Sequence, residues 1–215
     1  MSEKNASPAA GGPGRPTDEA KTEAILDAGR ALMFAGRFAN ASMDQIADAA
    51  GVSKVTLYKR FGDKTGLTEA MIRGQAASMT AMIHAANRDA PTLRDQLRNF
   101  GVTLSAFLLS ERFYHVDAML TALRRDQPGA TRRFFEAGPG TMRSELMAIL
   151  GAAADREELA IDDIKLAAED LLSLWRGFKE VELRFSARET LGSEELEAHV
   201  DHAIDVFFRA YRAQG

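Results

Sequence analysis

The chain has 215 residues, 46% of them hydrophobic, no cysteine and a formal charge of −4. That length holds one large domain or two small ones around a real core. The lack of cysteine excludes a disulfide framework, a thiolate metal site and a cysteine nucleophile, and it fits a reducing cytoplasm.

No apolar run approaches the ~18 residues of a membrane span. Residues 1–16 are rich in Pro, Gly, Ala and Ser and lack the apolar stretch of a signal peptide, so they read as a disordered N-terminal arm. Beyond them the apolar spacing is helical nearly everywhere, and the fold class expected is all-α. Thr17 is a candidate N-cap, with Asp18 and Glu19 in the first turn of a helix running to about Ala35. Ser42 followed by Gln45 fits a capping box for a helix of about two turns, stopped by Gly51. Ser53 caps the next helix, and the run Phe61-Gly62-Asp63 ends it. Asp63 caps a long helix to about Arg88. Further helices are expected from Thr92 to about Leu109 and over roughly 112–126. A short helix, a Gly-Pro-Gly break and another helix follow, then one long helix over about 166–185. A final helix capped by Ser193 runs to about Ala213.

Charge is unevenly placed. Residues 1–65 hold nine Lys/Arg against eight Asp/Glu, and the remainder holds eighteen against twenty-three. A head of charge +1 on a body of −5 permits a nucleic-acid contact at one end only. The basic charge gathers in "AGVSKVTLYKRFGDK", residues 50–64. Two helices of about two turns each are marginal alone in water. They must pack on each other, and a short helix, a glycine turn and a second short helix is how a helix-turn-helix reader is built. With Leu57 at the centre of the buried side, Phe61 and Ser53 lie near it. Val55 and Lys59 fall almost opposite, flanked by Thr56 and Tyr58. Lysine reaches phosphate or guanine, the threonine hydroxyl a base edge or phosphate, the tyrosine hydroxyl phosphate, and valine meets a thymine methyl. The competing reading is a solvated basic face with one exposed valine.

At these residues the chain resembles the TetR (tetracycline-repressor) family of bacterial regulators. The resemblance rests on "GRP" at 14–16, "SMDQIADAAGVSKVTLYKRFGDKTGL" at 42–67 and the helix between them, about residues 14–70. It implies a three-helix helix-turn-helix DNA-binding domain over 17–64 and a larger helical ligand-binding and dimerisation domain over 65–215. It further implies DNA contacts at Ser42, Lys54, Thr56, Tyr58, Lys59 and Lys64, and Arg15 in an arm that reaches an adjacent groove. The segments "ERFYHVD", "FFEAGPG" and "LLSLWRGFKEVELRF" look similar to the AefR-like subgroup of C-terminal domains.

In the body, Leu196, Val200, Ala203, Phe207 and Ala210 form one stripe, widened by Ile204, Val206, Phe208 and Tyr211. That sector is broad for a one-sided surface helix. Together with the 166–185 helix and the family's habit of a four-helix interface, it points to a homodimer through Leu171, Val200, Ile204, Phe207, Phe208 and Tyr211. The alternative is that both helices are buried in the monomer. A pocket for a small apolar or aromatic effector is expected at Met79, Met82, Phe107, Phe113, Met119, Trp175 and Phe178, since methionine adapts to irregular shapes. Plain core is the alternative for each of them.

His115 reads as a surface histidine rather than a polar anchor. His199, His202 and Asp205 have metal-like spacing, but no further ligand cluster supports them, and no metal or cofactor is expected. No phosphate loop, nucleophile elbow or metal motif appears, so the chain reads as a non-enzyme. The reading that results is a cytoplasmic, ligand-responsive regulator, a repressor on a palindromic operator. A helical small-molecule carrier or enzyme with an incidental basic helix is the rival, along with an architectural DNA binder lacking a ligand.

Overall fold

The structure, a computed structural model, describes residues 18–126, 128–187 and 190–212, leaving aside the side chains of 122, 124–126 and 128. The Thr17 cap and Arg15 lie outside the described residues. Within them eleven α-helices carry the chain, with no extended pairing beyond a bridge of Leu159 with Arg212. Among the described residues, no helix is long and apolar enough to cross a membrane.

The first three helices are α1 (Asp18–Phe34), α2 (Met43–Ala49) and α3 (Lys54–Phe61), with a 3-10 turn at Phe38–Asn40. Ser42 Oγ accepts from the Gln45 N–H at 3.2 Å, and Gln45 Oε1 accepts from the Ser42 N–H at 2.8 Å, which completes the capping box. Ser53 Oγ accepts from the Thr56 N–H, and Gly51, at φ 65°, makes the turn between α2 and α3. Ile25, Phe38, Ile46, Ala47 and Leu57 close the core of this head. Into the same core go Leu67 and Met71 of α4 (Lys64–Asn87) and Val116 and Met119 of α6 (Glu111–Asp126). The packing seam therefore does not follow a boundary at residue 64: α4 and α6 are shared.

In the body, α5 (Leu93–Leu108) packs on α4 and on α11 (Ser193–Tyr211). The Gly-Pro-Gly break separates α7 (Pro128–Ala137) from α8 (Pro139–Asp155). Phe100 of α5 stacks on Trp175 with ring centroids 5.6 Å apart. The single helix expected over 166–185 is two, α9 (Ile164–Arg176) and α10 (Lys179–Arg184). They are split at Gly177, whose φ of 55° and ψ of −166° are essentially glycine-only. The final helix begins at Ser193 with Gly192 as its cap and no side-chain cap bond, so Ser193 does not cap it.

Four of the six expected dimer positions are corrected by burial. Leu171, Val200, Ile204 and Phe207 are closed inside one chain and cannot meet a second copy. Phe208 and Tyr211 are half-buried against the same core. The broad apolar sector of α11 arises because the helix packs on α5 and α9 at once.

Candidate nucleic-acid interface and internal cavity

Leu57 is fully buried, and this sets the roll of α3. The opposite face then carries Val55, 77% exposed, with Tyr58 and Lys59 also exposed. Thr56 is half-buried, and its hydroxyl shares a 2.8 Å hydrogen bond with Ser53 Oγ. Lys54 Nζ donates to Asp44 Oδ2 at 2.5 Å, and that bond raises its pKa. Arg60 donates to Thr22 Oγ1 and to the Asp18 carboxylate, which fixes the end of α3 to the start of α1. α3 is therefore a braced rod with its outward face presented.

Two expected contacts have structural duties as well. Ser42 is exposed, but its hydroxyl belongs to the capping box. Lys64 donates to the carbonyls of Ala39 and Ala41, each at 2.7 Å, and lies 5.0 Å from the Phe38 ring centroid. Burial lowers its pKa. The ammonium is a strut under the 3-10 turn, so a phosphate meeting Lys64 competes with these two carbonyls.

The body holds an apolar cavity of about 390 Å³ between α1, α4, α5, α6, α7 and α8, reaching the end of α9. Met79, Phe107 and Phe113 line it. The other four expected residues do not. Met82 is 52% exposed, Met119 lies in the head core, Trp175 is sealed against Phe100, and Phe178 is 74% exposed. Met82 lies on an outward face of α4 and Phe178 in the turn between α9 and α10, positions that spacing alone did not distinguish from inward ones.

Sequence reasoning missed the wall supplied by Arg30, Met33 and Phe34 of α1 and by Phe134 and Phe135 of α7. The tandem phenylalanines of α7 and the Met-Phe pair ahead of Gly36 were the available signals. A wider open cleft of about 720 Å³, between the start of α5 and the ends of α8 and α11, is lined mainly by charged residues. Its Arg94 is paired with Asp205 at 2.7 Å. The apolar cavity is the better ligand site, because its walls reward burial of an apolar molecule.

His115 is neither a cavity anchor nor a free surface histidine. Its Nδ1–H donates to the Phe34 carbonyl at 2.7 Å and ties α6 to the end of α1. The His199 ring donates to the Trp175 carbonyl at 2.9 Å.

Residues 25–71 match the family model for bacterial regulatory proteins, tetR family, and residues 95–213 match that for the AefR-like transcriptional repressor, C-terminal domain. The chain belongs to the TetR family. Over 83 residues this TetR-family chain is 34% identical to the HTH-type transcriptional activator FasR of Mycolicibacterium smegmatis, a stretch spanning 39% of this chain and only 37% of FasR. A TetR-family regulator from Mesorhizobium loti superposes with a TM-score of 0.79 at 24% identity, over 92% of this chain and all of the other. The flavonoid-responsive regulator FrrA gives 0.72 at 26% identity, over 91% of this chain and 98% of its own. Membership makes this a DNA-binding, helix-turn-helix transcription regulator.

Proposed function

We propose that the protein is a dimeric repressor that reads a palindromic operator through Val55, Thr56, Tyr58 and Lys59. Lys54, Ser42, Lys64 and the arm residue Arg15 give supporting backbone contacts. A small apolar or aromatic effector in the 390 Å³ cavity releases it. It has no catalytic step. The observation that carries the reading is that α1 and α4 belong both to the reading head and to the cavity wall, through Met33, Phe34 and Met71. A molecule seated there displaces the helices on which α3 is mounted, and half-sites one helical turn apart no longer match the two heads.

The aromatic wall supports an aromatic effector, and FrrA, a relative of like fold, is flavonoid-responsive. Apolar side chains left exposed on α9 and around α10, Leu166, Phe178, Val181 and Phe185, support a dimer interface on that face. FasR is an activator, which gives a second reading of the direction of control.

Footprinting of the purified protein on the DNA upstream of its own gene tests this. A protected palindrome, with higher transcription when the gene is deleted, is the expected result. Lower transcription on deletion makes it an activator, and no protected palindrome at moderate salt sinks the DNA-reading proposal.

A further inference from the structure

We infer that the cavity selects an uncharged aromatic molecule bearing a hydroxyl group, held at the mouth between Arg176 and Asp117 with its rings inward. The inference rests on the reading of the cavity as the effector site. Its interior is mainly hydrocarbon and aromatic, with Gln75, Thr121 and Thr131 as the uncharged polar residues of its lining. Phe107 meets Phe34 and Phe113 edge to face, with centroids 6.4 and 5.5 Å apart, and such rings accept a further ring among them. At protein-like packing density, 390 Å³ accommodates about 15–20 non-hydrogen atoms, the size of two or three rings.

The charged groups on the wall decide the polarity of the ligand. Arg30 is held by Asp27 at 2.7 Å and faces Glu23 at 3.5 Å, so its charge is already cancelled. Arg176 grips Glu180 through two bonds of 2.9 and 2.6 Å. Glu180 also accepts from Arg184 at 2.8 Å, and Arg184 reaches Asp117 at 3.3 Å. This chain of two cations and two anions has no net charge. A carboxylate ligand meets Asp117 and competes with Glu180 for Arg176. A cationic ligand meets Arg176. Burying either charge against this wall is unfavourable. A hydroxyl satisfies both groups, since it donates to the Asp117 carboxylate and accepts from the Arg176 guanidinium. Both side chains are partly exposed, 37% and 41%, which places the polar end of the ligand at the mouth.

Titration calorimetry of the full-length protein with naphthalene, β-naphthol and β-naphthoate at neutral pH tests the inference. The naphthol is expected to bind about tenfold tighter than either of the others, the worth of one good hydrogen-bonding site. Arg176→Gln brings the naphthol to the level of naphthalene. Asp117→Asn lets the naphthoate gain severalfold, and it decides the matter should circular dichroism show Arg176→Gln to be unfolded. Naphthoate binding tightest, all three equal, or none binding overturns the inference. A footprint of the ligand-free protein, run alongside, separates the two readings. Protected DNA without a naphthol preference sinks this inference alone. A naphthol preference without protected DNA supports it and sinks the regulator reading instead.

Discussion

Lys59 and Lys64 carry the same charge five positions apart and do different work. Lys59 stands on the outward face of α3. If it reads a base edge, Lys59→Ala flattens discrimination between operator and random DNA, by about 1–3 kcal/mol. If it meets phosphate, binding weakens on all sequences and the salt slope falls by about one. Competition binding at several salt concentrations distinguishes the two. Lys64 is bound to two backbone carbonyls. Lys64→Met leaves them without that donor and is expected to destabilise the free protein by about 1–3 kcal/mol in urea unfolding. An unchanged urea midpoint with weakened DNA binding would make Lys64 a phosphate contact and nothing more. The sequence displayed both lysines alike, because whether an ammonium is free depends on carbonyls more than twenty residues away.

Helix ends were legible where the signal was local. Ser42 and Gln45 lie one turn apart, and the capping box formed as read. The Gly177 break was not, because apolar residues continue at helical spacing on both sides of it. The break places Arg176 at the end of α9 beside the cavity and Glu180 in α10. A Cβ on Gly177 would lie 2.8 Å from His199 Cε1, in a backbone conformation that side chains rarely adopt. Gly177→Ala is therefore expected to cost about 1–3 kcal/mol, measured by thermal unfolding.

Burial alone would raise the Glu180 carboxyl, but the Arg176 and Arg184 guanidiniums outweigh it and hold it below its ordinary 4.5. A depressed carboxylate stabilises the fold above its unfolded pKa, and the effect is lost as pH falls through the folded value. Glu180→Gln should thus be less stable than the wild type at neutral pH, with the gap closing below pH 4.5. A gap that stays constant on acidification would show that the ion pairs add nothing.

At the scale of the molecule, burial divides apolar residues that the sequence offers alike. Phe207 and Phe178 were both expected at functional surfaces, yet one is 1% exposed and the other 74%. Phe207→Ala is expected to cost about 3–5 kcal/mol of folding stability. Phe178→Asp is expected to leave the fold intact and weaken the dimer at least about tenfold, as loss of an aromatic anchor does. Sedimentation velocity against concentration checks this, and an unaltered dimer would move the interface off α10. The cavity was partly legible for the same reason. Met79 and Phe107 lie on helices whose apolar spacing was plain, but α1 and α7 join the wall only through tertiary packing.

Apolar periodicity, caps and glycine stops are set within a few residues, so the sequence by itself determined an all-helical chain, the order of the head helices and the outward face of α3. Tertiary structure decided which side of each apolar stripe is sealed, which lysine is free and which helices enclose the cavity. Those outcomes depend on contacts between segments far apart in the chain. Arg176 and Arg184 each lie four residues from Glu180, but only the fold adds Asp117 of α6, which completes the neutral set at the mouth.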